Sequence, residues 1–421
     1  VLSERRALSV GVRLGALEEV EREESRDLGL RVLLGRRQAS ISTSALGPDS
    51  IAKLVERAVA MARLAPEDPY VGLADPERLW RGEGGADLQL YDPSEPSPET
   101  LEVRARAAED AARAVPGVAN SEGGSASWSE ASWRLVTSGG FDGLHRTSGF
   151  SVSASVIAGE GEAMERAGEG RSTRFEADLP ASDAIGAEAG RRAVARLGAR
   201  KIESRTAPVI FENRLATAIL SPMTGAIAGP AVARGVSFLK DKLGERLFAP
   251  GVEVIEDPLR PRGLASACFD DEGVAKAPRK LVEDGVLTTW LLNTASARQL
   301  GLETTGHASR GLAGPPGVAT SNVHMAAGAH DLAGLMREAG AGLLITGMFG
   351  PSLNGNTGDW SAGVSGFWFE GGEIAYPVSE ITVAGNLIDI YARLVPGADL
   401  EFRGSSNAPS LLVDALAIAG R

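Results

Sequence analysis

The sequence predicts an α+β protein: an N-terminal α/β two-layer domain followed by a β-rich C-terminal domain, barrel-like or a sandwich. Three observations carry this. Between Val118 and Phe175, short β-like runs such as WRLVTS and GFSVSASVIAG alternate with glycine and serine pairs, and Ala-rich helical stretches bracket them. Beyond Arg205 the regular signals are turns between strand-like runs, above all Asp284-Gly285 and Gly371-Gly372, interrupted by short helices. Glycine supplies 52 of the 421 residues and aromatics only 5%, where glycine usually supplies roughly 7%, so many turns and close backbone approaches are implied.

Taken in order, the opening VLSERRALSV lies inside or beside a first strand. Leu28 to Leu34 and Gln38 to Ser44 flank a turn at Gly35-Arg36 and read as a hairpin. Pro48-Asp49-Ser50 precedes Ile51, Leu54, Val55, Ala58 and Ala62, apolar residues at helical spacing after an acidic, hydroxylic start. Ala65 to Pro96 is rich in Pro, Asp, Glu and Gly without periodicity and reads as an extended surface connection. Ser97 as N-cap, Pro98 at N1 and Glu99 in the first turn then open an Ala-rich helix to about Ala114. The antiparallel meander from Val118 to Phe175 follows, and a second Ala-rich helix from about Ser182 to Leu197 closes this half.

The chain changes character at Arg205-Thr206-Ala207-Pro208, which places the domains at 1–205, with a linker at about 65–96, and at 206–421. A short strand, Val209-Ile210-Phe211, leads into a long small-residue segment, Leu215 to Ala233. Val252 to Glu256 is a further strand, and Thr294 to Leu300 and Asp331 to Ala339 are helices ending on Gly301 and Gly340 at C′. Phe367, Phe369 and Ile374, Tyr376 alternate on either side of Gly371-Gly372 and make a tight hairpin, with another strand-like stretch around Ile381 to Val383. No solenoid-type repeat is present.

A chain of this length at 43% hydrophobic buries a large core in two or three domains. Its net charge of −12, with no basic stretch to track a phosphate backbone, argues against nucleic acid as a direct partner. The single Cys268 rules out an intrachain disulfide framework and agrees with a reducing setting. Without a long apolar run or a signal-peptide pattern, the expectation is a soluble, cytoplasmic protein away from membranes.

The chemical motifs are mostly negative. The four histidines, His145, His307, His324 and His330, show no HExxH or HExxxH, and the spacing of His324 and His330 does not share a helix face. There is no GxSxG elbow, and Cys268 in SACFDDEG has acidic neighbours that raise a thiol pKa, so it reads as a small buried hydrophobe. GMFGPSLNGNTGDWSAG, Gly347 to Gly363, lacks the spacing and the lysine of a phosphate loop. It either lines a cleft with backbone donors for an extended peptide or forms an Ω-type loop packed by Trp360. Asp270-Asp271-Glu272-Gly273 reads as a solvated acidic turn or cap rather than a catalytic carboxylate pair. Arg310, Arg393 and Arg403 have the chemistry to hold a substrate carboxylate, although most such arginines close intramolecular pairs.

Several segments resemble one family. FDDEGVAKAPRKLVEDGVLTTWLLNTASARQLG from Phe269, SNVHMAAG from Ser321, GNTGDWSAGVSGFWFEGGEIAYPVSEITVAGNL from Gly355 and DLEFRGSSNAPSLLV from Asp399 are similar to the TldD/PmbA family, in its PmbA branch, also called TldE. GLRVLLGRRQASISTSAL and DPYVGLADPERL extend the resemblance over nearly the whole chain, and by that resemblance the chain is expected to start late relative to longer members, without their initial helix. The resemblance implies a two-domain fold and dimers enclosing a cavity. It implies a TldD branch of zinc metallopeptidases, with HExxxH on a helix and a distant Cys, paired with a PmbA subunit that lacks those ligands. The complex cleaves peptides and unfolded proteins. Aligned from Leu243-Gly244-Glu245-Arg246, the two histidine positions fall near Leu220 and Gly225 and the Cys position near Gly404. No catalytic or metal-ligating residue carries over, so this chain holds no cofactor and the zinc belongs to a TldD-type partner.

Three functions follow as expectations: a non-catalytic, cavity-shaping subunit of a cytoplasmic TldD/PmbA-type protease, a homodimeric peptide- or protein-binding regulator in keeping with the family's older label as a modulator of DNA gyrase, or an independent hydrolase with an unrecognised site. The expected partners are a TldD-like subunit or a second copy, plus a peptide substrate. The substrate-cavity candidates are Asn354, Asn356, Asp359, Trp360, Phe367 and Trp368.

Overall fold

The computed structural model describes residues 1–82 and 87–421. Of the expected linker at about 65–96, residues 83–86 therefore lie outside the described residues, and the remainder runs as irregular chain with one 3-10 turn, Pro76–Arg78.

β1 (Leu2–Arg13), β2 (Ala16–Leu34) and β3 (Arg37–Thr43) form two successive antiparallel hairpins, the second turning at Gly35-Arg36 as the sequence predicts. Helix α1 (Pro48–Leu64) follows. Helix α2 (Pro98–Arg113) starts where expected, with Ser97 Oγ accepting from the Thr100 N–H at 3.2 Å. Three long strands, β4 (Val118–Val136), β5 (Asp142–Ala158) and β6 (Glu165–Thr173), complete a six-stranded sheet of order β3-β2-β1-β4-β5-β6, antiparallel throughout. α3 (Ser182–Ala195) packs with α2 on one face of this sheet. Strand alternation sends Val10, Val12, Trp128, Phe150, Val152 and Val156 into that layer against Leu101 and Ile185. The two helices approach so closely that a Cβ at Gly186 would lie 1.8 Å from the Ala108 carbonyl oxygen.

The rest of the chain folds around β7 (Arg205–Phe211). In order come α4 (Thr217–Ala226), α5 (Gly229–Ala233), β8 (Val254–Glu256), β9 (Arg279–Glu283), β10 (Val286–Leu287) and α6 (Thr294–Leu300). The short strands β11 (Ala308–Ser309), β12 (Gly317–Val318) and β13 (Val323–Met325) lead to α7 (Leu332–Ala339). Three long strands follow, β14 (Ala341–Leu353), β15 (Asp359–Glu370) and β16 (Glu373–Asn386). The chain ends with α8 (Leu387–Arg393), β17 (Val395–Pro396), β18 (Ser406–Asn407) and β19 (Leu411–Ala419).

β16, β15, β14, β7 and β19 lie side by side, and β19 pairs back onto β16 with Val383 opposite Ile418. Five strands thus close into a barrel, so the barrel form of the expected fold holds and the sandwich form does not. Val209, Phe211, Leu343, Ile345, Leu411 and Val413 share one core with Ile219, Leu220 and Met223 of α4. Their neighbours Ile210, Leu344 and Leu412 point the other way, against Leu335 and Met336 of α7. Each such buried side chain contributes roughly 1.5–3 kcal/mol. A second sheet runs β10-β9-β8-β13-β18, with Asp284-Gly285 turning β9 into β10.

Three segments depart from the sequence reading. Leu215 to Ala233 folds as α4 and α5 despite Pro222 and two glycines, because burial of Ile219, Leu220 and Met223 outweighs weak propensity. Gly347 to Gly363 is neither a cleft loop nor an Ω-type loop but most of the β14–β15 hairpin. Its glycines admit close strand contacts: a Cβ at Gly347 would sit 2.4 Å from Ser365 Oγ. Finally, α8 and β19 have no counterpart in the sequence reading, and Ile381 to Val383 continues β16 rather than starting a new strand.

Candidate functional site

Helix α4 lies alongside β18, the edge strand of the five-stranded sheet. Ile219, Leu220, Met223 and Ala226 face the core, while Ser221 and Gly225 are exposed on the opposite side. Pro222 removes the N–H that would bond the Ala218 carbonyl, and the Tyr391 hydroxyl, buried at the helix, donates to the Ile219 carbonyl at 3.0 Å. A Cβ at Gly225 would meet nothing within 4 Å, and one at Gly404 only the Ser406 backbone, the nearest atom at 3.7 Å. The seam between α4 and the 402–407 loop is therefore open and small-residue-lined. Asn407 shapes the loop: its Oδ1 accepts from the Arg403 and Gly404 N–H groups at 2.8 and 3.0 Å, and its Nδ2 donates to the Gly404 carbonyl at 2.9 Å. At the end of α4, Ser237 Oγ donates to the Ala226 carbonyl at 2.6 Å and the Phe238 N–H to the Gly355 carbonyl at 2.9 Å. This ties the helix to the β14–β15 turn.

That turn holds three of the six cavity candidates. Asn354, Asn356 and Asp359 are exposed there, with Asn354 Oδ1 accepting from the Asn356 N–H at 3.0 Å. Bonds from Thr357 and Asn386 hold the Asp359 carboxyl below its ordinary range. Trp360 instead points into the core, 4% exposed, edge-on to Phe211 with ring centroids 6.0 Å apart. Trp368 is buried too, its indole N–H donating to Glu370 at 3.0 Å, and Phe367 is half-buried against the α7 core. Phe367 and Trp368 sit at the other end of β15, about 26 Å from Asp359 at the usual strand rise. The structure brings together the polar three and separates the aromatic three from them.

Among the histidines, His307 is the one fully buried. Its Nε2 lies 2.6 Å from Glu256 Oε2 and its Nδ1 2.8 Å from Thr305 Oγ1. The Ser321 N–H and hydroxyl donate to the other Glu256 oxygen at 2.7 and 2.8 Å. Burial alone would raise the Glu256 carboxyl, but His307 and Ser321 outweigh it and hold it down at about 2. The array resembles a relay in its connectivity, yet Glu256 and His307 are sealed from solvent, so the structure uses it as a core staple. His145 is pushed down to about 4 by burial and by the Arg174 and Lys276 cations. His324 stacks edge-on to Phe402 at 5.1 Å, and His330 is exposed.

The acidic turn is not solvated. Asp270 and Glu272 are buried, and burial pushes the Asp270 carboxyl up to about 7 against donors from Ala308, Glu272 and Val274. All three carboxylates serve as caps: Asp270 for its own turn, Asp271 for the Arg310 N–H at 2.8 Å, Glu272 for the Thr294 N–H at 2.8 Å. Cys268 is half-buried beside Phe269, and burial raises its thiol. Arg393 pairs with Asp414, and Arg403 with Glu169 and Glu401, as the intramolecular reading has it. Arg310 borders a 280 Å³ cavity with Arg31, Asp271 and Glu272, where the charges balance.

Among the described residues, no three of His, Cys, Asp and Glu converge to hold a metal ion. No helix among them is long and apolar enough to cross a membrane.

Comparison with known proteins adds a family context. Family models described as PmbA/TldA metallopeptidase domain 1, central domain and C-terminal domain match residues 1–62, 91–197 and 204–420. The chain is 38% identical over 425 residues to Metalloprotease PmbA of Escherichia coli, spanning 100% of this chain and 91% of that protein. It is 36% identical over 419 residues to a Metalloprotease PmbA homolog of Haemophilus influenzae, spanning 98% and 90% of the two chains. Among solved structures, a proposed modulator of DNA gyrase from Bacteroides thetaiotaomicron superposes with a TM-score of 0.92 at 29% identity, over 100% of this chain and 94% of that one.

Proposed function

The chain belongs to the PmbA/TldD metallopeptidase family, and from that premise we propose that it is the PmbA/TldE-like subunit of a cytoplasmic zinc protease complex. The complex processes peptides and unfolded proteins, and this chain shapes the cavity without holding the zinc.

The α4–β18 seam carries this reading. By the family resemblance, the metal ligands of the catalytic branch fall near Leu220, Gly225 and Gly404. A zinc site needs imidazole, thiolate or carboxylate lone pairs, and these three side chains offer none. Leu220 is moreover committed to the core, at 1% exposure. The donor set does not fit the metal. What the seam offers is a floor of small side chains beside the edge strand β18, and such an edge can hold an extended peptide by main-chain pairing.

Elemental analysis of the purified chain, followed by peptide hydrolysis with and without a TldD-type partner, tests the proposal. The expected outcome is no stoichiometric zinc in the chain alone and activity only on mixing. Stoichiometric zinc with activity in the chain alone overturns it. Absence of activity even with the partner favours a binding regulator without proteolysis.

A further inference from the structure

A pocket of about 130 Å³ opens where the segment after β6 meets the loops at 260–264 and 402–404. Four guanidiniums line it, those of Arg174, Arg260, Arg262 and Arg403, against one carboxylate, Asp178. In a chain of net charge −12, this concentration of positive charge is out of keeping with the whole.

Two of the four are neutralised. Arg262 donates to both oxygens of Asp178, at 2.8 and 2.9 Å, and Arg403 pairs with Glu401 and Glu169. The other two are not. Arg174 donates only to main-chain carbonyls, of Ser148 at 2.9 Å, Gly263 at 3.5 Å and Leu264, which leaves two of its five N–H groups free among the described residues. Those carbonyl bonds clip the 263–264 loop to the six-stranded sheet and account for Arg174 structurally. Nothing comparable accounts for Arg260. Among the described residues its half-buried guanidinium has no hydrogen-bond acceptor and no carboxylate within 4.0 Å. It lies flat on the Phe402 ring, 3.3 Å from the centroid, and that ring is itself 45% exposed and braced by His324. Burial pulls both guanidiniums below their ordinary range, with Asp257 partly offsetting this for Arg260. A partly buried cation that no carboxylate pairs directly gains from the arrival of an anion, and a stacked guanidinium presents its fork already oriented.

We propose that this pocket is a carboxylate subsite, in which Arg260, held flat by Phe402, and the free N–H groups of Arg174 grip a carboxylate carried by a bound peptide. The volume suits such a group on a short stem and is well below the roughly 300 Å³ at which whole-ligand pockets begin. The guanidinium fork matches a carboxylate in a planar, bidentate fashion. The inference rests on the peptide-binding reading above and adds which chemical group of the peptide is read. The carboxylate comes either from the peptide C-terminus or from an Asp or Glu side chain.

The test is fluorescence anisotropy with three short labelled peptides of one neutral sequence, run on the full chain. The first has a free C-terminal carboxylate, the second is amidated, and the third is amidated with one internal Glu. One of the two acidic peptides binds about tenfold more tightly than the neutral amide, and Arg260→Gln abolishes that preference. Phe402→Leu, which frees the guanidinium from its platform, reduces it. A C-terminal preference assigns a terminus subsite, an internal-Glu preference a side-chain subsite. Equal binding of all three peptides, or a preference that survives Arg260→Gln, overturns the proposal, as does displacement by a single-stranded oligonucleotide in preference to peptide. N-acetylglycine, followed by NMR line broadening, separates the two readings. If no peptide binds but N-acetylglycine binds in an Arg260-dependent way, the pocket stands and the peptide reading falls. If neither binds, both fall.

Discussion

Glu256 shows how a single buried side chain sets a pH limit. Its carboxyl is held at about 2 in the folded chain, against 4.5 for the ordinary group. A depressed carboxylate stabilises the fold above its unfolded value, and that stabilisation is lost as pH falls from 4.5 toward 2. Thermal unfolding of the wild type therefore shifts down through that window, while Glu256→Gln flattens the dependence and costs roughly 3 kcal/mol by leaving His307 without its partner. Asp270 has the opposite sign. Its carboxyl is raised from 3.8 to about 7, so its contribution is full at low pH and declines as pH rises between those values. Asp270→Asn removes that slope, and melting curves taken across the window in both proteins measure it. An Asp270→Asn variant as pH-sensitive there as the wild type would contradict the assignment. At this scale the sequence was only partly legible. The DDEG run read as a solvated acidic turn or a cap; it is a buried cap, and two of the groups it caps, the Thr294 and Ala308 N–H groups that Glu272 and Asp270 accept from, lie far along the chain.

Among the elements, the hairpins were read correctly where a glycine-containing pair sits between alternating apolar runs, as at Gly35, Asp284-Gly285 and Gly371-Gly372. The β14–β15 hairpin was misread because Gly347, Gly350 and Gly363 lie within the strands and blur the boundary with the turn that holds Gly355 and Gly358. Within the strands glycine admits close contact: a Cβ at Gly366 would fall 1.9 Å from the Leu344 carbonyl oxygen. Gly366→Ala therefore destabilises the barrel by roughly 1–3 kcal/mol or more. At Gly311 an added Cβ meets nothing within 4 Å, so Gly311→Ala stays within about 0.5 kcal/mol of wild type. Urea unfolding midpoints of the two variants make the comparison. α4 was invisible for a related reason. Its residues are small and interrupted by Pro222, and it is helical because the barrel core accepts Ile219, Leu220 and Met223 on one side.

Across the whole molecule, the three matched domains place the chain in the PmbA/TldD metallopeptidase family, and the role proposed for it there is the subunit that shapes the cavity. Partner-dependent hydrolysis without zinc in this chain is the measurement at this scale, and the carboxylate preference of bound peptide is its finer companion. The open surfaces that matter for both lie between elements distant in sequence. Arg174 and Arg260 lie on either side of β7, where the chain changes character, and no local spacing could have joined them.

The amino-acid sequence alone determined several of the hairpins and helices, the Ser97 N-cap and the glycine stops at Gly301 and Gly340, the absence of recognised catalytic motifs, and the family. These are local or motif-level properties, written within a few turns of chain. Tertiary structure alone decided that the β-rich part closes as a barrel, that Trp360 packs in the core, that the acidic turn is buried, and that two guanidiniums without carboxylate partners line one pocket, one of them stacked on Phe402. Closure and burial depend on which distant segments share a face, and desolvation, which gives those charges their significance, exists only once the faces have met.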